Sequence, residues 1–307
     1  MSTTVKPHRI VILAGGPSAE REVSIQTGSA IQTALCTLGY DVITIDPDQT
    51  LSEQLQKVQA DLIFNALHGT YGEDGVIQGY LDWIKIPYTG SGVKSSAVAM
   101  DKAMSRVLFK SVHIPVAEGY VWCLDEPYPS LAQLPQIPWI IKPTNEGSSV
   151  GLDRCDSYEV LISILASKST SGPSDWLIES FHEGTEISVV VFDEEVWGSV
   201  EISPSGDLYD YEAKYVRGDT TYHCPPRIEQ SCIKRLETYA LKAYKVLECS
   251  GICRIDFITN GHQDITLELN TLPGMTSTSL VPKVAAWRGI SFESLVELII
   301  ASAYKDK

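Results

Sequence analysis

Apolar and polar residues follow a regular rhythm in the N-terminal part of the chain. Short apolar runs at residues 9–14, 41–45 and 61–65 are typical of buried β-strands. Between them, apolar residues recur at helical spacing over residues 23–38 and 51–58. Strands and helices that alternate in this order predict right-handed βαβ units and a parallel sheet.

Polar and small residues stand where these predicted strands end. Glu20, His68 and the Gly-rich turn 72–75 follow the first and third strands. Because ligands bind at the carboxyl ends of such strands, we expect these residues to face a crevice. The segment 90–101 is rich in Gly and Ser and predicts a hinge, so we assign residues 1–101 to a first domain.

The hydrophobic pattern changes after this hinge. Residues 118–122 and 138–142 are predicted to be antiparallel strands on either side of a polar loop. A helix around residues 160–165 and a strand at 176–179 complete a small α+β unit. We assign this central domain to residues 102–185.

The remaining residues, 186–307, are predicted to form a third domain. It contains two hairpins and a long helix, with a polar loop at residues 203–223 between the hairpins. The predicted elements are strands 186–192 and 196–202, helix 232–247, and strands 253–258 and 264–270. The last two strands are joined through Asn260 and Gly261, which favour a hairpin turn.

Composition narrows the classes of partner. The 307 residues include 24 Lys and Arg against 39 Asp and Glu, so the formal net charge is −15. A surface this acidic repels nucleic acid, and no apolar run reaches the length of a membrane span. The polar start of the chain does not resemble a signal peptide, and its seven cysteines contain no Cys-x-x-Cys pair. We therefore expect reduced thiols and a cytoplasmic protein that binds neither nucleic acid nor membrane.

The last predicted hairpin carries the clearest chemistry. Arg254 and Asp256 share one face of their strand, and Glu268 and Asn270 share one face of theirs. If the strands pair, these side chains converge into a cluster of oxygen ligands suited to Mg²⁺, with a cation beside it. An exposed hairpin with solvated acids is the plainer interpretation. The flanking apolar residues instead favour a buried strand pair, in which carboxylates need a partner; they are Ile255, Phe257, Leu267 and Leu269.

A Gly- and Ser-rich loop follows the predicted strand that ends at Lys142. Backbone N–H groups and a lysine at such a loop can hold phosphates, although residues 142–151 contain no Walker A motif. Lys102, Lys142 and Lys214 are the lysines that we assign to phosphates, and each could equally be a solvated surface residue. A linker is the alternative interpretation of the loop itself.

Eight motifs, in this order and spacing, resemble the bacterial D-alanine–D-alanine ligases of the ATP-grasp superfamily. They lie at residues 15–24, 66–69, 72–75, 87–92, 100–102, 146–151, 209–215 and 267–282. The resemblance runs from about residue 9 to residue 303. It implies an α/β and α+β fold, with an N-terminal parallel βαβ domain followed by a two-part ATP-grasp fold.

The resemblance also implies roles for individual residues. Glu20 would hold the ammonium of a first D-alanine, with Ser148 and Tyr215 in the same hydrogen-bonded set and His68 nearby. Lys102, Lys142 and Lys214 would contact the phosphates of ATP, and Glu179 and Glu186 would contact its adenosine. Asp256, Glu268 and Asn270 would bind two Mg²⁺ ions, for which Mn²⁺ could substitute. Arg254 and the Gly274 N–H would stabilise an oxyanion, and Ser279 with the Leu280 N–H would receive the carboxylate of a second D-alanine.

The implied activity is the ATP-dependent ligation of two D-alanine molecules through an acyl-phosphate, with release of ADP and phosphate, for peptidoglycan synthesis. The loop 203–219 would be a mobile lid, and relatives are commonly homodimers. Tyr215 stands where depsipeptide-forming relatives lack a tyrosine, which favours D-alanine as the acceptor.

Three alternatives stay open at the level of sequence. A related ligase could use D-lactate or D-serine as its acceptor. A non-catalytic nucleotide sensor on the same scaffold would lack Arg254 or part of the Asp256, Glu268 and Asn270 set, and all four residues are present. A dinucleotide-binding oxidoreductase would require a G-x-G-x-x-G motif, which the first βαβ unit does not contain.

Overall fold

A computed structural model describes residues 7–148, 150–168, 174–204 and 219–305. The N-terminal part forms a three-stranded parallel sheet with the order β2-β1-β3, which confirms the predicted βαβ units. Its strands are β1 (Arg9–Leu13), β2 (Asp41–Ile45) and β3 (Leu62–Asn65). The helices that follow them are α1 (Arg21–Thr37), α2 (Leu51–Val58) and α3 (Val76–Ile84).

Successive residues of β1 face opposite sides of this sheet, as strand geometry requires. Ile10 and Ile12 pack in the same apolar cluster as Ile31 of α1. Val11 and Leu13 pack instead in the cluster that contains residues of α2 and α3. Helices therefore cover both faces, and the carboxyl ends of the strands remain available at one edge.

Two short helices, α4 (Val93–Met100) and α5 (Lys102–Ser111), lead away from the first sheet. Asp101 separates them and caps α5, because its side chain accepts hydrogen bonds from the backbone N–H groups of Ala103 and Met104 at 2.9 and 3.0 Å. This cap fixes Lys102 as the first residue of α5.

The central sheet has the order β4-β7-β5-β6. Its elements are β4 (Gly119–Cys123), β5 (Trp139–Pro143), β6 (Asp153–Cys155), α6 (Tyr158–Lys168) and β7 (Asp175–Ser180). The prediction that β4 and β5 are antiparallel to each other is wrong. Both strands pair antiparallel with β7, which lies between them, so they run in the same direction.

The C-terminal sheet has the order β10-β9-β8-β11-β12, and its neighbouring strands are antiparallel. The hairpin of β8 (Thr185–Phe192) and β9 (Glu195–Ser203) and that of β11 (Ile252–Thr259) and β12 (Asp264–Asn270) agree with the predicted pairs. The other elements are β10 (Thr221–His223), α7 (Gln230–Val246), α8 (Leu280–Trp287) and α9 (Phe292–Ser302). The prediction of a loop at residues 203–223 is wrong at its end, where β10 pairs with β9.

The first and last sheets share a hydrophobic core. Ile12 and Ile31 belong to the same buried cluster as Val190 of β8, Val284 of α8 and Val296 of α9. The first and last sheets therefore pack against each other through apolar side chains. No helix within the described ranges is long and apolar enough to cross a membrane.

Candidate active site

Two adjoining cavities lie where the three sheets meet. The first is lined by residues from all three parts of the chain, namely Glu20, His68, Lys102, Ser148, Arg254, Asp256, Glu268, Asn270, Gly274, Ser279 and Leu280 among others. The second is lined by Lys102, Lys142, Glu179, Glu186, Asp256 and Glu268, with mostly apolar walls. Lys102, Asp256 and Glu268 line both cavities, so the two sites meet at these three side chains.

The register of the last hairpin brings the predicted oxygen ligands together. Arg254 lies opposite Asn270, and Asp256 lies opposite Glu268, so all four side chains share one face. A bulge follows at Asp256 and Phe257. The loop after β11 is stabilised by Asn260, whose Oδ1 accepts hydrogen bonds from the N–H groups two and three residues later, at 3.0 and 2.8 Å.

Each carboxylate at the meeting point is paired with a cation. The guanidinium of Arg254 contacts Asp256 at 2.9 Å, and Ser188 Oγ donates a hydrogen bond to Asp256 Oδ1 at 2.5 Å. Lys102 Nζ lies 3.2 Å from Glu268 Oε2 and 2.6 Å from the carbonyl oxygen of Glu146. Buried negative charge is therefore balanced by positive charge on this chain.

The same residues suit a hard divalent cation. Asp256, Glu268 and Asn270 offer two carboxylates and one amide oxygen, which are ligands that Mg²⁺ prefers, and bound phosphates would complete such a site. Asn270 Oδ1 is oriented by a hydrogen bond from the Leu272 N–H at 2.9 Å. Among the residues that the structure describes, no group of three or more His, Cys, Asp or Glu side chains is arranged to hold a metal without such help.

Glu179 joins two cations at the floor of the second cavity. Its Oε1 lies 2.5 Å from Lys142 Nζ, and its Oε2 lies 2.7 Å from a terminal nitrogen of Arg106. Arg106 also donates a hydrogen bond to the carbonyl oxygen of Ala117 at 2.5 Å, and burial lowers the pKa of its guanidinium. Most of the remaining wall is apolar and includes Ile140, Val150, Leu152, Phe181, Ile258, Ile265 and Leu267. A ligand with a flat, mostly apolar ring system and polar atoms at one end would fit such a cavity.

Glu20 lies at the opposite end of the first cavity, where β1 leads into α1. Its side chain is buried, with 6% of the residue exposed. Oε1 accepts a hydrogen bond from Ser148 Oγ in the loop after β5, and Oε2 is buried with no hydrogen-bond partner among the residues that the structure describes. Burial, and then the charge of Glu73, raise the pKa of this carboxyl group. The ammonium group of a ligand would donate a hydrogen bond to Glu20 Oε2.

Glycines make room for the Glu20 carboxylate. A Cβ atom at Gly69 would lie 2.9 Å from Glu20 Oε2, and one at Gly147 would lie 2.8 Å from it. His68 lines the same cavity, with its Nε2 3.2 Å from Thr27 Oγ1 and its Nδ1 3.7 Å from Glu73 Oε1. These contacts fix the imidazole beside Glu20.

The loop before α8 forms the third corner of the first cavity. Ser279 Oγ accepts a hydrogen bond from the Thr276 N–H at 3.1 Å, and a Cβ atom at Gly274 would lie 2.9 Å from that oxygen. The Ser279 side chain makes no cap to α8, so the N-terminal N–H groups of the helix, beginning with Leu280, suit a ligand carboxylate.

The model of the D-ala D-ala ligase C-terminus matches residues 123–301, and that of the D-ala D-ala ligase N-terminus matches residues 45–91. A D-alanine–D-alanine ligase of Mannheimia succiniciproducens is 42% identical over 301 residues, which cover 96% of this chain and 98% of the relative. One of Geobacter sulfurreducens is 41% identical, with coverage of 97% and 95%.

The chain belongs to the D-alanine–D-alanine ligase family.

Solved structures agree with this membership. The D-alanine–D-alanine ligase of Bacillus anthracis superimposes with a TM-score of 0.86 at 32% identity, over 96% of this chain and 97% of that one. The structure of that ligase complexed with ATP gives a TM-score of 0.85 at 29% identity. The fold is therefore that of the family, and the predicted α/β and α+β architecture with two ATP-grasp parts is confirmed.

Within this family fold, two of the residues predicted for the site, Lys214 and Tyr215, lie outside the described residues, as does most of the loop 203–219. The other predicted residues line one or both cavities, and their individual roles stay predictions. Sequence reasoning missed Arg106 and Ser188. Arg106 follows Lys102 by one helical turn, and Ser188 follows Glu186 on the same strand face, so periodicity alone could have indicated both.

Proposed function

We propose that this chain joins two D-alanine molecules into D-alanyl-D-alanine, with ATP converted to ADP and phosphate, and that the dipeptide serves peptidoglycan precursor synthesis. The observation that carries the proposal is the meeting of the two cavities at Lys102, Asp256 and Glu268. A nucleotide in one cavity would present its terminal phosphate to a carboxylate bound in the other. Family membership supports the same reaction.

The nucleotide occupies the second cavity in this proposal. The apolar wall receives the base, while Glu179 and Glu186 contact the adenosine. Lys142 and Lys102 lie along the path to the first cavity and neutralise phosphate charge, with Lys214 as a third lysine. We assign two Mg²⁺ ions, or Mn²⁺, to Asp256, Glu268 and Asn270, where bound metal would neutralise further charge on the phosphates.

The first D-alanine binds with its ammonium at Glu20 and its carboxylate near Lys102. One carboxylate oxygen attacks the terminal phosphorus of ATP, the bond to the bridging oxygen breaks, and ADP leaves. The product is an acyl-phosphate. Ser148, together with Tyr215, orients Glu20, and the loop 203–219 acts as a lid that excludes water from this reactive species.

The second D-alanine binds with its carboxylate at Ser279 and the Leu280 N–H. Its free amine attacks the acyl carbon, and a tetrahedral oxyanion forms beside Arg254 and the Gly274 N–H, which stabilise it. The amine loses a proton, phosphate departs, and the peptide bond remains. His68 lies near the first substrate and helps to define its place.

The acceptor is the finer part of the proposal. D-Lactate and D-serine are the competing acceptors, and Tyr215 favours an amine. Purified protein with ATP, Mg²⁺ and D-alanine should release ADP and form the dipeptide in equal amounts. ADP release that requires D-lactate, or the absence of any dipeptide, would contradict the assignment.

Substitution of Glu268 tests the meeting point of the cavities. Glu268→Gln removes one carboxylate charge beside Lys102, so we expect turnover to fall at least about 100-fold while the folded state persists. Glu53→Gln is the matched control, because Glu53 is exposed on α2. Turnover of Glu268→Gln within a few-fold of the control would remove Glu268 from the reaction.

A homodimer in the cytoplasm completes the proposal. Helix α3 presents Val76 and Trp83 on one face, with 54% and 85% of these residues exposed, and a second copy of the chain would cover them. ATP is available in the cytoplasm, where the reaction would take place. The mass of the protein in solution, measured by sedimentation for the natural sequence and for Trp83→Glu, tests the dimer.

A further inference from the structure

Lys283 lies in the first turn of α8, behind the loop that forms the corner of the first cavity. Its Nζ donates hydrogen bonds to the carbonyl oxygens of Thr278 at 2.8 Å and Ser277 at 3.1 Å. A cation in the first turn of a helix is electrostatically unfavourable, because the helix dipole is positive there. The hydrogen bonds to the two carbonyl oxygens stabilise the ammonium at this position.

The same ammonium also contacts a second element that lines the cavity. Lys283 Nζ lies 4.8 Å from the centroid of the Tyr222 ring, a cation–π distance. Tyr222 belongs to β10, lies opposite Ile202 of β9, and lines the first cavity together with Thr278. Lys283 therefore connects β10 to the loop before α8.

This connection acts on groups that would contact the second amino acid. Thr278 immediately precedes Ser279 and Leu280. The Thr278 carbonyl group that Lys283 contacts and the Ser279 N–H therefore belong to the same planar peptide unit. A shift of the Thr278 peptide would move the N-terminal N–H groups of α8 with it. Lys283 is half-buried, and burial lowers the pKa of its ammonium, so its contacts act in a partly dehydrated setting.

We propose that Lys283, through its contacts with Tyr222 and with the loop before α8, positions the acceptor half of the cavity and sets the affinity for the second amino acid. Lys283 is a positioning residue, since it lies behind the loop and acts through Thr278, Ser279 and Tyr222. The positive charge of Lys283 also favours a substrate that carries a carboxylate. The inference rests on the proposed ligase function and deepens it.

Two reactions of the same protein separate the acceptor half from the rest of the site. Dipeptide formation uses the second amino acid and its carboxylate. Hydroxylamine has no carboxylate and attacks the acyl-phosphate directly, so hydroxamate formation at low D-alanine reports on ATP and the first D-alanine alone. In Lys283→Met, the KM for the second D-alanine in dipeptide formation should rise about tenfold, while kcat and the hydroxamate reaction stay within about threefold.

Further variants control for charge and for folding. Lys283→Arg keeps the cation and its stacking on Tyr222, so its second KM should stay within about threefold of the natural value. Lys242→Met removes an exposed lysine of α7 and should leave both reactions unchanged. Tyr222→Leu removes the ring face and should raise the second KM, whereas Tyr222→Phe should not.

The outcomes distinguish this inference from the proposed function. If the natural sequence forms neither dipeptide nor hydroxamate, the ligase function fails. If it forms both, an unchanged second KM in Lys283→Met, or an equal loss of both reactions in that variant, overturns the inference. Should Lys283→Met not fold, Tyr222→Leu decides by the same two criteria.

Discussion

A buried carboxylate with one unpaired oxygen destabilises the chain that contains it. Glu20 Oε2 has no hydrogen-bond partner within the described part of the chain, and the pKa of its carboxyl group is raised by burial and by the charge of Glu73. The folded chain therefore favours the protonated form of Glu20 more than the unfolded chain does. A substrate ammonium would reverse that preference, so the same feature that weakens the fold prepares the site for a cation.

Glu20→Gln is expected to separate stability from activity. The amide retains an oxygen for Ser148 and has no charge to bury, so the free energy of unfolding should equal or exceed that of the natural sequence at neutral pH. The gain should vanish as the pH falls below the ordinary carboxyl range, because both states of Glu20 are then protonated. The KM for the first D-alanine should rise about 10- to 100-fold with loss of the charged hydrogen bond.

Denaturant unfolding of both proteins across the acid range, with kinetics at neutral pH, measures these two effects. A large loss of stability in Glu20→Gln at neutral pH would mean that the ionised carboxylate stabilises the fold. That result would contradict the structural account of Glu20.

Residue types in the second cavity were predictable, but their partners were not. The sequence indicated Lys142 at a strand end and Glu179 at a strand junction. The ion pair between them depends on the pairing of β5 with β7, where Ile140 lies opposite Glu179 and Lys142 is its diagonal neighbour. That register is set by tertiary packing between segments that are far apart in sequence. The sequence alone therefore assigned both residues to a ligand and missed their contact.

The strands differ in how far the local sequence determines their pairing. The pairing of β11 with β12 follows from a short connection through Asn260 and Gly261, so the convergence of Asp256 and Glu268 was accessible from alternation alone. The order of the central sheet was not accessible. β4 and β5 are separated in the sheet by β7, which comes later in the chain, and no local signal records that insertion.

The cap of α5 is an element-scale test of the site. Asp101→Ala removes the acceptor for two backbone N–H groups, which should lower the free energy of unfolding by about 1 kcal/mol. Because Lys102 is the first residue of α5, fraying should also move its ammonium and raise the KM for ATP. Asp101→Asn retains a good cap and is the matched control for both measurements. Equal behaviour of the two variants in thermal unfolding would show that the cap contributes little.

At the scale of the whole molecule, the core shared by the first and last sheets has a consequence for folding. The buried cluster around Ile12 and Ile31 would lose Val284 and Val296 if the N-terminal sheet stood alone, because these two residues come from the C-terminal helices. We therefore expect residues 1–101 expressed alone to lack a cooperative thermal transition, and the full chain to lose both sheets together. Far-ultraviolet circular dichroism of the fragment and of the full chain tests this, and a cooperative transition of the fragment would contradict it.

This shared core also marks the limit of sequence reasoning about the whole molecule. Three groups of elements were visible from hydrophobic periodicity, and the boundaries after residues 101 and 185 stay predictions. The apolar face of α1 predicts that this helix is packed against other elements. Some of the residues in its cluster, Val284 and Val296, come from helices near the C-terminal end of the chain, which the pattern of α1 does not indicate. The position of Glu20 opposite Ser148 and Ser279 depends on that packing.

The three residues common to both cavities have a meaning for inhibitor design. A molecule with an aromatic head for the apolar cavity and a zwitterionic tail for the other would pass Lys102, Asp256 and Glu268 on its way. Joining the two halves would make the second contact intramolecular, so affinity would exceed that of either half. Substitutions of these three residues that weaken binding of such a compound would also change side chains that the proposed chemistry requires. Resistance there would therefore lower the activity of the protein that acquires it.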